Sequence, residues 1–305
     1  MTAVDVPSGR PAAATTPGPG DPRLRRLSLN QRTVRRWSAL EAVEACARAG
    51  VPAVGLWREP VVEDGTGAVA RAIERSGLRV SSLCRGGFFT ASDAARRVDA
   101  AQDNRRAVDL AAELGAACLV LVVGGLPDGS PDLPAARARV ADAVAELVGY
   151  AAPAGVRLAI EPMQPMYCAD RSVLSTLAQA LDLAGCFPAD DVGVVIDSFH
   201  LWWDPALGGG IERAGNRIAG AQVSDWITPM APDPLLSRGM IGDGHIDFGW
   251  FVRALDTAEY AGDLEVEIFN ADVWDADPQQ TLDTVLRRYA QHVETGAARS
   301  AMGAG

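Results

Sequence analysis

Eight apolar runs, each followed by an amphipathic helical pattern, predict an α/β chain folded as a single-domain (β/α)8 barrel over residues 23–296. Three observations carry that expectation. Strand-like and helical segments alternate from end to end, which implies a parallel sheet. The clearest run, VGVVI at 192–196, shows no in–out alternation, as expected of a strand covered on both faces. The first strand leads into SLNQRT and not into a glycine-rich phosphate loop, which disfavours an open doubly wound sheet. A length of 305 residues and a hydrophobic fraction of 48% suit one large core.

Taken in order, RLSLN (26–30) reads as the first strand, and SALEAVEACARAG (38–50) as a helix closed by Gly50. AVGLW (53–57) is the second strand, GAVARAIERSG (67–77) a helix, and RVSSLC (79–84) the third strand. A long helical segment from Ser92 to Gly115 precedes CLVLVVGG (118–125), the fourth. Helix 134–155, strand RLAIEPM (157–163), helix 172–185 and strand 192–197 follow. A short helix at 206–215 leads to IAGAQVSD (218–225), and a Pro-, Gly- and Met-rich loop spans Trp226 to Gly244. Helix 248–262, strand DLEVEIF (263–269) and helix 277–296 close the series. Residues 1–22, rich in Ala, Pro, Gly and Thr without an apolar stretch, read as a disordered tail and not a signal segment. Residues 297–305 read as a flexible tail.

Composition excludes several chemistries. Every cationic side chain is arginine, so Schiff-base, pyridoxal-phosphate and Walker-type lysine chemistry is ruled out. A net charge of −11 argues against a nucleic-acid surface, and no run of apolar residues is long enough to span a membrane. Five cysteines without paired spacing read as free thiols in a reducing cytoplasm. With only His200, His245 and His292 present, and His292 in a helical pattern, a metal centre must rest mainly on oxygen ligands.

The expected strand ends five to eight carry Glu161, Asp197, Gln222 and Glu267, all with side-chain oxygens. Reactive groups of α/β barrels sit at these C-terminal strand ends, because the loops there ring one mouth. Two glutamates, an aspartate and an amide suit Mn²⁺, Mg²⁺ or Co²⁺ better than a thiol-seeking ion. Any one of them alone could be a strand-end hydrogen bond or, for Asp197, a helix cap. Glu265 rivals Glu267: period two puts both on one side of the strand, and Glu267 lies nearer its end.

These residues sit in IEPM around Glu161, IDSFH with Asp197 and His200, AQVSD with Gln222, SRGMIGDGHID at 237–247 and LEVEIF with Glu267. In them the sequence resembles the sugar isomerase/epimerase barrels related to xylose isomerase, among them tagatose/psicose 3-epimerase, hydroxypyruvate isomerase and inosose dehydratase members. The resemblance spans about residues 24–292. It implies a divalent metal held by Glu161, Asp197, Gln222 and Glu267, with the two glutamates doubling as an acid/base pair. Many members carry histidine where this chain has Gln222, a change that keeps an oxygen ligand and leaves the metal's identity open. Arg238 resembles the family arginine that steadies the substrate.

The implied reaction is proton transfer through a metal-stabilised enediolate of a sugar or keto-polyol, giving epimerisation or aldose–ketose isomerisation. His200 is expected at a substrate oxygen, while Trp57 and Arg85 are candidates for the pocket wall. Trp202, Trp203, Trp226 and Phe88 could line the pocket or simply pack, and His245 reads as structural. The expected partner is a small carbohydrate or cyclitol, with no nucleic acid and no membrane; homo-oligomerisation stays open. Alternatives are a dehydratase or carbon–glycosyl lyase on the same scaffold, a non-catalytic barrel subunit and an apurinic endonuclease relative. Metal analysis separates enzyme from inert subunit, and the low histidine count with the acidic balance disfavours the endonuclease.

Overall fold

The computed structural model describes residues 15–127 and 130–293 of the 305-residue chain. Eight parallel strands close into a barrel: β1 (Leu27–Asn30), β2 (Ala53–Trp57), β3 (Arg79–Gly87), β4 (Leu119–Val122), β5 (Leu158–Ile160), β6 (Val192–Asp197), β7 (Ile218–Val223) and β8 (Leu264–Val266). Each strand pairs with its neighbours in sequence, and β8 pairs with β1, so no edge is left open.

Period two sorts the strand side chains into two cores. Leu29, Leu56, Leu121, Ile160 and Ile196 face outward into one apolar cluster shared with the surrounding helices. Inside the barrel, Cys84, Cys118, Val120, Ala159 and Val195 form a small cluster beside buried Ser28, Asn30, Gln222 and Glu265. Helix boundaries follow local chemistry. Helix Ala39–Ala49 starts in a capping box, with Ser38 Oγ accepting from Glu41 N at 3.3 Å and Glu41 Oε2 from Ser38 N at 2.8 Å. Gly50, in the left-handed conformation, ends it.

The structure adjusts several expected boundaries. A helix at Arg58–Asp64, unforeseen from the sequence, follows β2. β3 continues past Cys84 to Gly87, where a Cβ would meet Val122 O at 1.8 Å. Only glycine permits that approach to β4. The helix expected from residue 172 begins at Leu177, because Thr176 caps it and Val173 N bonds Gly124 O at 2.9 Å. The helix expected to reach residue 262 ends at Thr257, and Glu259 takes a φ of 60°.

The expected tails fall largely on residues 1–14 and 294–305, outside the described residues. Within 15–22, Pro17 is buried, and Pro19 Cα lies where a Cβ on Gly50 would meet it at 2.5 Å. All five cysteines are free thiols, and no helix among the described residues is long and apolar enough to cross a membrane.

Candidate active site

The barrel brings the four expected residues to the same end, Glu161 and Asp197 in one close group with His200 and Glu267 in another with Glu265 and Cys84. Glu161 follows β5, Asp197 ends β6, Gln222 is the penultimate residue of β7, and Glu267 follows β8. Each is at most 5% exposed. Gln222 stands in register with Asp197 on one side and Glu265 on the other, so Glu267 lies one pleat above Glu265. Carboxylate oxygens of Glu161 and Asp197 and a ring nitrogen of His200 lie within 4.8 Å of one another.

Arg238 reaches the mouth from a two-residue ribbon, Arg238–Gly239 paired antiparallel with Asp225–Trp226. Asp225 fastens the following GDG turn by accepting from the amides of Gly242, Gly244 and Ile246 at 3.0, 2.8 and 3.0 Å. Asn270 Nδ2 donates to Arg238 O at 3.0 Å and holds the ribbon from β8's side. The buried guanidinium lies 2.9 Å from Asp197 Oδ2 and 3.3 Å from Glu267 Oε2.

Arg238 Nη2 also lies 3.1 Å from His200 Nε2. Guanidinium can only donate, so His200 accepts at Nε2 and carries its proton on Nδ1. Burial pushes the imidazole pKa well below its ordinary value and keeps the ring neutral. Tyr167 and Phe199 pack edge-on against it at 5.3 and 5.4 Å. His200 thus meets Arg238 through Nε2 and lies beside the Glu161 and Asp197 carboxyl groups.

That wall comprises Trp57, Cys84, Arg85, Glu161, Met163, Gln222, Leu235, Arg238, Glu267 and Phe269, with Val120, Val122 and Arg171, around about 50 Å³. Trp57 Nε1 donates to Asn30 Oδ1 at 3.0 Å, and its ring meets the edge of Phe269 at 5.7 Å. Arg85 lies over Phe88 at 4.3 Å and also lines a neighbouring cleft of about 540 Å³. Trp202 and Trp226 pack on each other at 4.9 Å. His245 is exposed, and its ring lies 5.7 Å from that of Trp226.

The site is crowded with negative charge. Burial first, and then Asp197, push the Glu161 carboxyl from 4.5 up to about 8, against the pull of Arg238. Burial raises Asp197 and lifts Glu267 well above the usual carboxylate range, although Arg238 opposes both. Burial alone would lower the Arg238 pKa, but Asp197, Glu267 and Glu161 hold it above its ordinary value. One guanidinium therefore faces three carboxyl groups.

Gln222 Oε1 is a buried oxygen that receives no hydrogen bond, while Asp197 Oδ2 faces the Arg238 guanidinium at 2.9 Å. An undonated amide oxygen inside an excess of carboxyl groups fits a hard divalent cation. The donor set of three carboxylates and an amide oxygen fits it as well.

Sequence reasoning missed the layer beneath. Asn30 Nδ2 donates to both Glu265 Oε1 and Glu267 Oε1, at 2.7 and 3.0 Å. Ser81 and Ser82 donate to Glu265 Oε2 at 2.6 and 2.7 Å. Cys84 shares the cluster, and burial with the nearby glutamates holds its thiol pKa well above the ordinary value. Polar residues spaced by two in LSLN and SSLC were the available signal.

This fold and mouth belong to a known class. The chain is a member of the xylose isomerase-like TIM barrel family, whose match covers residues 43–291. A solved protein from Sinorhizobium meliloti 1021 is 46% identical with a TM-score of 0.86, covering 88% of this chain and 98% of its own. An L-ribulose 3-epimerase from Mesorhizobium japonicum is 28% identical over 134 residues, 44% of this chain and 41% of that enzyme. Other curated relatives match over about half their length, 52% and 51%. The IolI protein, solved with a bound zinc atom, shares the fold at 20% identity and a TM-score of 0.78, over 88% of this chain and 98% of its own.

Proposed function

We propose that the chain is a divalent-metal-dependent isomerase or epimerase that moves a proton at a carbon beside the carbonyl of a small sugar or keto-polyol. The observation that carries this reading is the buried mouth itself: three carboxyl groups and an amide whose oxygen lacks a donor. The epimerase relative and the zinc-bound fold relative support it. Glu161, Asp197, Gln222 and Glu267 would hold the ion. Bound there, Mn²⁺, Mg²⁺ or Co²⁺ supplies Lewis acidity that stabilises the enediolate of a hydroxy-carbonyl substrate.

The chain's own residues do the rest. Glu161 and Glu267 rise from different sides of the mouth, so one removes the proton and the other returns one. Arg238 orients the substrate's oxygens, and His200 fixes Arg238 through Nε2. Trp57 and Arg85 form the wall.

A lyase outcome has no observation behind it. The test is a ketose and cyclitol panel assayed with Mn²⁺, using Glu161→Gln and Glu267→Gln. Each variant should lose about 10²–10⁴-fold in kcat while still binding Mn²⁺ by calorimetry. Wild-type turnover in either one would overturn the two-base assignment.

A further inference from the structure

Glu265 has no part in the chemistry above, yet it is the most heavily hydrogen-bonded side chain beneath the site. Its Oε1 receives Asn30 Nδ2 at 2.7 Å and Gln222 Nε2 at 3.2 Å. Its Oε2 receives Ser81 Oγ at 2.6 Å and Ser82 Oγ at 2.7 Å. Ser28 Oγ lies 2.6 Å from Ser81 Oγ and donates there, since the Ser81 proton is already committed. Gly55 makes room: a Cβ at that position would meet the Glu265 carboxyl carbon at 2.5 Å. Below, a cavity of about 240 Å³ opens against Glu265 from the other side of the barrel interior.

Every contact on this carboxylate is a donor, so the Gln222 atom facing it must be the amide nitrogen. The Gln222 oxygen is then the free end, and it is the buried oxygen that lacks a donor. We propose that Glu265 is a positioning residue that locks the Gln222 amide in one orientation, presenting Oε1 to a divalent cation as the fourth oxygen ligand. This rests on the metal-dependent reading above. A neutral amide turns over easily, and its flipped form would aim N–H groups at the cation. Glu265 removes that alternative and so favours hard ions over zinc.

The experiment is Mn²⁺ and Zn²⁺ calorimetry on the full chain, with Mn²⁺ electron paramagnetic resonance as a second readout. The variants are Glu265→Gln, Gln222→Met and the double mutant. Glu265→Gln should raise the Mn²⁺ Kd about 10–100-fold, the range for an outer residue that orients a ligand. It should also narrow the Mn²⁺-over-Zn²⁺ preference and change the resonance spectrum. In Gln222→Met there is no amide to orient, so adding Glu265→Gln should produce no further loss.

Three results overturn the proposal. Glu265→Gln could bind Mn²⁺ as tightly as wild type with the same metal preference. The losses from Glu265→Gln and Gln222→Met could simply add. Wild type could bind no divalent ion, which sinks the metal reading itself and is thereby distinguished from the first two. If Glu265→Gln does not fold, Ser82→Ala, which loosens Glu265 without removing it, must show a weaker shift in the same direction, and an unchanged Mn²⁺ Kd there counts against the proposal.

Discussion

Neighbouring residues on each strand live under opposite rules. Leu29, Leu56, Ile160, Ile196 and Val266 point outward into a continuous apolar core. One residue further along, Asn30, Trp57, Glu161, Asp197 and Glu267 gather at the mouth. The outer core is specified by volume and burial, which many apolar side chains satisfy. The inner one is specified by individual hydrogen bonds, where a single missing partner is expensive. A barrel wall thus lets one chain keep a tolerant scaffold and an exacting site a few ångströms apart.

Substitutions on the two sides should therefore separate stability from metal binding. Leu121→Ala empties part of the outer core and should cost about 2–5 kcal/mol in urea unfolding, with the Mn²⁺ Kd unchanged. A large change in Kd would mean that the two cores are not independent. Gly55→Ala drives a methyl against the Glu265 carboxyl, whose nearest atoms would stand 2.5 Å away. It should cost on the order of 1–3 kcal/mol and also weaken Mn²⁺ binding, a pairing that no outer substitution should show. Unchanged Kd in Gly55→Ala would indicate that the inner network relaxes freely.

Acid–base behaviour should show the same division. Burial raises Glu161 from 4.5 to about 8, and raises Asp197 and Glu267 in the same direction. A carboxyl with a raised folded-state pKa stabilises the fold below its unfolded value, and that contribution is lost as pH rises through the folded one. In chelator, the melting temperature should therefore fall between about pH 4.5 and 8, the window Glu161 sets. Added Mn²⁺ should raise it most at the alkaline end, where the carboxylates are charged. A chelated protein equally stable at both ends would contradict the charged-cluster account.

Thiol labelling offers the smallest effect. Exposed Cys186 should react with iodoacetamide in the native state. Buried Cys118, its pKa pushed up to about 12, and buried Cys84 should not. Native labelling at Cys84 would show that the inner core opens to solvent.

The fold was legible because its carriers are local: β-branched runs, Gly50 and Gly77 as helix stops, and strict alternation of strand and helix. Glu161, Asp197, Gln222 and Glu267 could be picked out since each sits at the end of an apolar run. Arg58–Asp64 escaped notice because seven residues with a proline and two valines carry little helical periodicity. Glu265 could be seen only as a rival to Glu267. Its distinction from Glu267 lies in the register of β7 against β8 and in donors from β1 and β3, more than 180 residues away in sequence. Nor does the sequence reveal that His200 supports Arg238, because that contact depends on how the 226–244 loop folds back over the mouth.

Proton transfer at a carbon beside a carbonyl is tested most directly by solvent isotope. The Mn²⁺-loaded protein should be turned over in deuterated water with whichever ketose or cyclitol of the panel it accepts. Recovered substrate and product should carry deuterium at the carbon next to the carbonyl, and Glu161→Gln or Glu267→Gln should abolish that incorporation. Turnover with no deuterium in either compound would mean that hydrogen moves without leaving the substrate, and the account of Glu161 and Glu267 as paired bases would be wrong.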